Sequence, residues 1–305
     1  MERAVASGSS GAEAKQSRWR LWFIGARPRT LGAAVSPVNV GTSLAYAEGG
    51  DIEWLRAALA LVVALGLQIA VNYANDYSDG VRGTDRNRAG PLRLTASGAA
   101  SPGAVRNAAA LAVLVAAAAG VALAILVTPW LLVVGAAAIA AAVLYTGGPK
   151  PYGYFGLGEL MVLVFFGFVA SAGSTFVQHE YIPKTAWFAS MTVGLLACAI
   201  LLANNVRDVG TDTVAGKRTL AVRLGEERAR QLYVLCVVGA FLAVAPVAYF
   251  FPGALLAYAA VPLAIHPIRL VLTAHEPPRL VAALIGTARL QLVTAVLVGL
   301  GLCLF

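Results

Sequence analysis

A chain of 305 residues is long enough for one large or two ordinary soluble domains. Its composition excludes a soluble fold, because 59% of the residues are hydrophobic and only 12% are charged, whereas a soluble domain is typically about 25% charged. The formal charge of +8 does not indicate a nucleic-acid partner, because membrane proteins also concentrate basic residues in their cytoplasmic loops. Apolar runs of about 20 residues recur along the chain, so we predict a polytopic, all-α membrane protein.

The predicted elements start with a polar tail that leads into the membrane. Residues 1–18 are small and polar, so we expect a disordered tail on the cytoplasmic side. Residues 19–305 are predicted to form one membrane-embedded domain, and residues 19–30 at its start mix aromatic and basic side chains, as interfacial helices do. Continuous apolar runs then predict nine membrane-spanning helices. These spans lie at residues 30–47, 54–77, 103–127, 130–146, 157–178, 185–206, 228–250, 253–273 and 281–304.

The distribution of basic residues predicts the orientation of this array. With the N-terminus in the cytoplasm, only Arg56 and Lys184 of the 23 Lys and Arg residues fall on the opposite side. This asymmetry supports a cytoplasmic N-terminus and an odd number of spans in a plasma (inner) membrane. The two longest loops between spans, 78–102 and 207–227, then both face the cytoplasm.

Aspartate is rare in this chain, and most of it lies in two stretches at the ends of apolar runs. Only six residues are Asp, and five of them fall in these stretches. In the first stretch, four residues follow the i, i+3, i+4, i+7 spacing that places side chains on one helix face: Asn72, Asn75, Asp76 and Asp79. Asp85 follows after two glycines, which let the chain turn back.

The second stretch repeats this pattern, which hints at two related halves. Asn204, Asp208 and Asp212 are spaced four residues apart and share one helix face. Clusters of Asp and Asn oxygens suit hard cations, and Mg²⁺ commonly bridges carboxylates to substrate phosphates. The two stretches therefore predict helix ends that face each other and hold a diphosphate through Mg²⁺. The alternative is a solvated helix end whose charge is balanced by nearby Arg.

Basic residues accompany both stretches. Arg82, Arg88 and Arg93 follow the first stretch, and Lys217 and Arg218 follow the second. Arg and Lys are natural partners of phosphate oxygens, although plain cytoplasmic retention charge explains them as well. A third loop on the same side, residues 145–154, carries one cation, Lys150. Glu159 begins the next span and is not included in the predicted site.

These features together resemble the UbiA superfamily of intramembrane aromatic prenyltransferases. The resemblance covers roughly residues 20–305 and rests on Asn75-Asp76-x-x-Asp79, on Asp208-x-x-x-Asp212, on a Tyr/Lys loop between them and on about nine spans. Within the superfamily, further stretches resemble the 1,4-dihydroxy-2-naphthoate prenyltransferase branch. These are residues 26–30, 72–85, 90–98 and 204–225. Many members carry a third Asp where this chain has Gly83, and here Asp85 follows two positions later.

The resemblance implies a nine-helix bundle with a central cavity that opens to the cytoplasmic side. It implies transfer of a long-chain prenyl group from a prenyl diphosphate to 1,4-dihydroxy-2-naphthoate, with release of diphosphate and CO₂ and formation of demethylmenaquinone for menaquinone biosynthesis. The implied Mg²⁺ ligands are Asp76, Asp79, Asp85, Asp208 and Asp212. The catalytic set adds Tyr145, to stabilise an allylic cation or position the acceptor ring, and Lys150, to contact diphosphate or the acceptor carboxylate. The expected substrate-binding residues are Asn72, Asn75, Arg82, Arg88, Arg93, Asn204, Asn205, Lys217 and Arg218.

Other functions compete with this hypothesis. The nearest are other UbiA-type reactions, on 4-hydroxybenzoate, haem, chlorophyll or lipid-ether acceptors. A transporter also fits two related halves with polar residues inside the membrane, but transporter sites tend to lie near the bilayer midplane, whereas these Asp residues cluster at one face. A purely structural protein does not explain the segregated Asp. The expected partners are the two substrates and the lipid bilayer, with no nucleic acid, and the high Ala and Gly content is compatible with a homo-oligomer.

Overall fold

The computed structural model describes residues 18–83 and 92–304, which are almost entirely helical. The predicted tail, residues 1–18, lies outside this range except for its last residue. Besides one short 3₁₀ helix, Tyr152–Phe155, eleven helices are described, several of them interrupted by 3₁₀ or π-helical turns. They are α1 (Arg18–Gly25), α2 (Pro28–Ala47), α3 (Trp54–Arg82), α4 (Pro102–Leu126), α5 (Trp130–Thr146), α6 (Gly158–His179), α7 (Lys184–Val214), α8 (Leu220–Leu224), α9 (Glu226–Phe250), α10 (Pro252–Thr273) and α11 (Pro277–Leu304).

Seven of the described helices are long and apolar enough to cross a membrane: α3, α4, α6, α7, α9, α10 and α11. The all-α class is confirmed, and so is a multi-pass membrane protein. Helices also occupy the other two predicted spans, as α2, which contains Pro37, and as α5, a shorter apolar helix of 17 residues. The count of nine spans therefore stays a prediction.

Two helices continue past the ends of the predicted spans, and the difference matters for the site. The sequence placed the ends of the second and sixth spans at residues 77 and 206, whereas α3 continues to Arg82 and α7 to Val214. Hydropathy falls where a helix leaves lipid, but the backbone hydrogen bonds continue as long as each N–H finds its carbonyl. Asp76 and Asp79 consequently lie on α3, and Asp208 and Asp212 on α7, whereas Asp85 lies outside the described residues.

Helix α7 runs through the centre of the bundle. In its most apolar segment 72% of the residues are buried, and it packs against α2, α6, α9 and α11. Small residues allow α6 and α7 to cross closely: a Cβ on Gly167 of α6 would lie 3.0 Å from the Cα of Gly194 in α7, so any side chain there would force the helices apart. The segment Leu163–Ala172 of α6 is π-helical.

The loop after α3 folds back onto that helix. Gly83 ends α3 in a left-handed conformation with φ 73°, which glycine adopts without strain. Leu94 of the returning loop is fully buried, and a Cβ on Gly80 would lie 2.5 Å from the Thr95 side chain. The loop therefore packs directly on the polar end of α3.

Candidate active site

Two neighbouring cavities lie within the bundle, and they share part of their lining. The larger, of about 340 Å³, is lined mainly by apolar side chains of α2 to α7. The smaller, a polar cleft of about 70 Å³, lies between the ends of α3 and α7 and the adjoining loops. Four residues line both: Arg27, Asn75, Tyr145 and Asn204. The apolar cavity and the polar cleft therefore meet at a ring of polar and aromatic side chains.

Asp79 of α3 lies at the centre of a buried charge cluster. Its Oδ1 accepts a hydrogen bond from Lys217 Nζ at 2.7 Å and one from the Tyr154 hydroxyl at 3.2 Å. Arg93 Nη2 lies 3.8 Å from Oδ2. Asp79 is only 6% exposed, so these cations stabilise a carboxylate that burial alone would disfavour. The structure thus brings Arg93 and Lys217 to the same acid from loops 124 positions apart in sequence.

Asp208 and Asp212 form the opposite wall of the cleft from α7. Both oxygens of Asp208 accept from Arg207, Nε at 2.7 Å and Nη2 at 2.6 Å, which is the bidentate geometry that a guanidinium favours. Arg207 also donates to Asn204 Oδ1 at 2.9 Å. The predicted second motif is therefore assembled, and Arg207 is a member that the sequence did not single out.

Asp76 is placed differently from Asp79, although both come from one motif. Its two oxygens accept the backbone N–H groups of Leu94 and Thr95, each at 2.8 Å. It is 2% exposed and is not among the described residues that line the cleft. Asp76 therefore holds the loop that carries Arg93, whereas its predicted metal contact remains a prediction.

Arg27 lines both cavities, and sequence reasoning did not predict it as a site residue. It joins α1 to α2 in the left-handed conformation with φ 56°, which is uncommon for a residue with a side chain. Asn72 fixes this corner, because its Nδ2 donates to the carbonyl of Ala26 at 2.9 Å. Arg27 Nη2 is buried, and no hydrogen-bond partner is found for it within the described ranges. An Arg directly before a Pro at the start of an apolar helix was the signal that could have identified it.

The end of α5 and the loop after it contribute aromatic residues. Tyr145 lines both cavities, and its ring packs edge-on against Tyr152 with the centroids 5.5 Å apart. The Tyr154 ring lies under two cations, Lys217 Nζ at 4.8 Å and Arg82 at 5.2 Å. Asn75 Oδ1 accepts from the Thr146 hydroxyl at 2.8 Å, which ties the end of α5 to α3.

Several predicted residues are not brought into the cleft. Arg82 is exposed and donates to the carbonyl of Gly148 at 3.0 Å. Arg218 and Lys150 are also exposed, and neither is among the described residues that line the two cavities. Asp85 and Arg88 lie outside the described residues. By contrast, the predicted residue Asn205 does reach the cleft, where it is buried and forms part of the lining.

The protonation of the cleft loops follows from their surroundings. Burial lowers the pKa of Lys217, but the charge of Asp79 and the hydrogen bond to it outweigh burial, so this pKa is raised above its usual value. Burial, with the charge of Asp79, raises the pKa of Tyr154 against the opposing effects of Lys217 and Arg82. Lys217 is consequently a fixed cation near neutral pH and Tyr154 a neutral hydrogen-bond donor.

The donor set of the cleft fits Mg²⁺ shared with a ligand. Within the described residues no three His, Cys, Asp or Glu side chains are close enough to hold a metal by themselves. Mg²⁺ usually takes one or two carboxylates and completes its shell with water and phosphate oxygens. The carboxylates of Asp79, Asp208 and Asp212, beside the amides of Asn75 and Asn204, supply hard oxygens of this kind.

Known proteins resemble this chain over most of its length. The family model of the UbiA prenyltransferase family matches residues 34–283. The chain is 46% identical over 279 residues to the 1,4-dihydroxy-2-naphthoate octaprenyltransferase of Mycobacterium tuberculosis, covering 91% of this chain and 94% of that protein. It is 38% identical over 303 residues to the protein of that name from Escherichia coli, covering 96% and 98%.

Solved structures share the fold at low sequence identity. The apo structure of a UbiA homolog from Aeropyrum pernix K1 superimposes with a TM-score of 0.67 at 19% identity, covering 89% of this chain and 96% of that one. A UbiA homolog from Archaeoglobus fulgidus bound to DMAPP and Mg²⁺ gives a TM-score of 0.62 at 15% identity, covering 91% and 98%.

Proposed function

Because this chain belongs to the UbiA prenyltransferase family, we propose that it transfers a long-chain prenyl group from a prenyl diphosphate to 1,4-dihydroxy-2-naphthoate. The reaction releases diphosphate and CO₂ and supplies demethylmenaquinone for menaquinone biosynthesis. One observation supports the proposal beyond the names of the relatives: a cation-lined polar cleft adjoins an apolar cavity and shares four lining residues with it. A prenyl diphosphate has this same division between a charged head and an apolar tail.

The diphosphate head is proposed to occupy the cleft. Lys217, Arg93 and Arg27 converge there, and each donates to phosphate oxygens when the substrate is bound. The tail then extends into the apolar cavity past Tyr145. The C–O bond that breaks lies where the two cavities meet, beside the four residues that line both.

Mg²⁺ is proposed to join the diphosphate to the two Asp stretches. Asp79, Asp208 and Asp212 would hold it, and when bound it neutralises charge that develops on the departing diphosphate. The Mg²⁺ bound in the Archaeoglobus fulgidus homolog supports this assignment. Asp76 and Asp85 remain predicted ligands, although both oxygens of Asp76 already accept backbone N–H groups.

Cleavage of the C–O bond leaves an allylic cation at the junction. The Tyr145 ring is proposed to stabilise that cation through its π-face, and the apolar walls exclude the water that would quench it. The electron-rich ring carbon that bears the carboxylate attacks the cation and forms the new C–C bond. The electron pair of the lost carboxylate bond then restores the aromatic ring as CO₂ departs. This step involves no oxidant, so the ring leaves as the hydroquinone form of demethylmenaquinone.

A reconstituted assay tests the activity. Purified protein in detergent is incubated with Mg²⁺, a long-chain prenyl diphosphate and 1,4-dihydroxy-2-naphthoate, and the product is identified by mass spectrometry. We expect the prenylated, decarboxylated ring, and we expect about 100-fold or greater loss in D79N and D208N. D51N is the matched control, because Asp51 is exposed. If product formed with 4-hydroxybenzoate but not with 1,4-dihydroxy-2-naphthoate, the proposed acceptor would be wrong. If both variants kept wild-type activity, the proposed site would be wrong.

We also propose that the cleft and the N-terminus face the cytoplasm. The asymmetry of Lys and Arg supports this orientation, since only Arg56 and Lys184 lie toward the other end. Labelling of an Arg218→Cys variant with a membrane-impermeant maleimide checks it. We expect labelling only after permeabilisation. Labelling in intact spheroplasts would show that the proposed orientation is wrong.

A further inference from the structure

Glu159 is a buried carboxyl for which the proposed mechanism has no use. It lies in the first turn of α6 and is 6% exposed. Its Oε1 accepts a hydrogen bond from Asn205 Nδ2 at 2.8 Å. Its Oε2 is buried and finds no hydrogen-bond partner in the part of the chain that the structure describes. Among the described lining residues of the two cavities Glu159 is absent, so it acts on a ligand only through another side chain.

The surroundings of Glu159 make a carboxyl there unfavourable by itself. The Cys198 thiol donates to its backbone carbonyl at 3.2 Å, and the neighbouring Gly158 packs against Leu201 and the Tyr145 ring. An apolar side chain would fill this place without leaving a polar oxygen unsatisfied. The hydrogen bond to Asn205 is the polar contact that the carboxyl makes, and it therefore has to explain why a carboxyl occupies this position.

Asn205 connects Glu159 to the polar cleft. It lies on α7 between Asn204 and Asp208, is 7% exposed and lines the cleft. One N–H of its amide is held by Glu159, which fixes the plane of the amide and prevents it from flipping. The amide oxygen and the second N–H then remain for other partners, and of these only the oxygen can serve a cation. An amide oxygen accepts from water or binds a cation, and it does not bind the oxygens of a diphosphate.

We propose that Glu159 is a positioning residue, which holds Asn205 so that its amide oxygen serves the cation side of the Mg²⁺–diphosphate complex. This inference rests on the proposed function and refines it, because Asn205 changes from a phosphate contact to a contact of Mg²⁺ or its bound water. Groups that hold a metal-binding side chain in place commonly change metal affinity about 10–100-fold when they are removed. Glu159 has that relation to Asn205.

Mg²⁺-dependent binding of inorganic diphosphate, measured by calorimetry, tests the inference without relying on turnover. We expect E159L to raise the Mg²⁺ concentration required for half-maximal diphosphate binding about tenfold or more. E159Q retains an acceptor oxygen and should keep most of the wild-type affinity. The loss of Mg²⁺-dependent diphosphate affinity in E159L/N205L should equal that in N205L alone, because both substitutions remove the same interaction. E227L is the matched control, since Glu227 is exposed.

A second pair of variants decides the matter if E159L does not fold. N205D sets two carboxylates against each other and should lose Mg²⁺-dependent binding. E159Q/N205D restores one donor and one acceptor in exchanged positions, and should recover most of that loss. The inference would be overturned if the losses of affinity in E159L and N205L multiplied in the double variant. It would also be overturned if E159Q/N205D bound diphosphate no better than N205D. Normal Mg²⁺–diphosphate binding by a wild-type protein that transfers no prenyl group would overturn the proposed function alone.

Discussion

Removal of the ion pair between Lys217 and Asp79 should change two binding affinities in opposite directions. Nζ and Oδ1 are 2.7 Å apart, and the two side chains are only 11% and 8% exposed. Without ligands, Lys217 occupies a carboxylate that we propose for Mg²⁺, and with ligands it is proposed to face the diphosphate. We therefore expect K217M to strengthen the binding of Mg²⁺ alone and to weaken the binding of diphosphate.

The size of both effects follows from the geometry. A hydrogen bond between charged groups contributes about 1.5–3 kcal/mol. Arg93 remains 3.8 Å from the other oxygen of Asp79 and replaces part of the lost interaction, so the lower end of that range applies. At about 1.4 kcal/mol per factor of ten, Mg²⁺ binding in the absence of diphosphate should tighten about tenfold. Diphosphate binding at saturating Mg²⁺ should weaken by a similar factor.

Isothermal titration of the detergent-solubilised protein measures both quantities. Mg²⁺ is titrated without diphosphate, and inorganic diphosphate is then titrated at saturating Mg²⁺. K184M is the matched control, because Lys184 is exposed at the other end of the bundle, and both affinities should be unchanged in it. Weaker Mg²⁺ binding by K217M in the absence of diphosphate would refute the idea that Lys217 and Mg²⁺ share Asp79.

Three further substitutions test separate parts of the site. R27M should lower kcat/KM about 100-fold without lowering the melting temperature, because Arg27 Nη2 is buried without a partner in the described ranges; R29M, at an exposed position, should retain activity. D76N should lower stability by about 1–3 kcal/mol, seen as a lower melting temperature, since it leaves one backbone N–H of the Arg93 loop without its charged acceptor. Y154F should weaken diphosphate binding by a similar factor at about pH 7 and pH 9, because the raised pKa of Tyr154 keeps its hydroxyl protonated; a loss seen only at pH 7 would contradict this.

The sequence was sufficient to predict the fold class and the convergence of the two Asp stretches. Hydropathy alone predicts helices of the right length in the right order, because lipid imposes one physical requirement on every span. The rarity of Asp then identifies the two stretches that contain Asp79, Asp208 and Asp212. These residues line one cleft although they are more than 120 positions apart.

Loop geometry is what the sequence could not supply. Asp76 and Asp79 share one helix face, and spacing does not distinguish them. The difference arises because the loop folds back at Leu94. Its backbone N–H groups then bind Asp76, whereas Asp79 faces the cleft and accepts from Lys217. Distance along the sequence does not rank the cations either: Arg82, three residues after Asp79, is exposed, whereas Lys217 from the other stretch donates to Asp79. Tyr154 was missed because its contact with Asp79 joins two loops without local periodicity.

The paired charges of the cleft also determine how its ligands affect one another. Lys217 is paired with Asp79, and Arg207 with Asp208. Mg²⁺ alone must displace a cation from a buried carboxylate, and diphosphate alone must compete with that carboxylate for the cation, so each is opposed on its own. In the proposed complex both would be bound together and would exchange partners, with Mg²⁺ at the carboxylates and Lys217 at the phosphate. Because coupling between two ligands is reciprocal, Mg²⁺ must raise the affinity for diphosphate by the factor by which diphosphate raises the affinity for Mg²⁺. A site built on paired charges is therefore selective for the complex over either component.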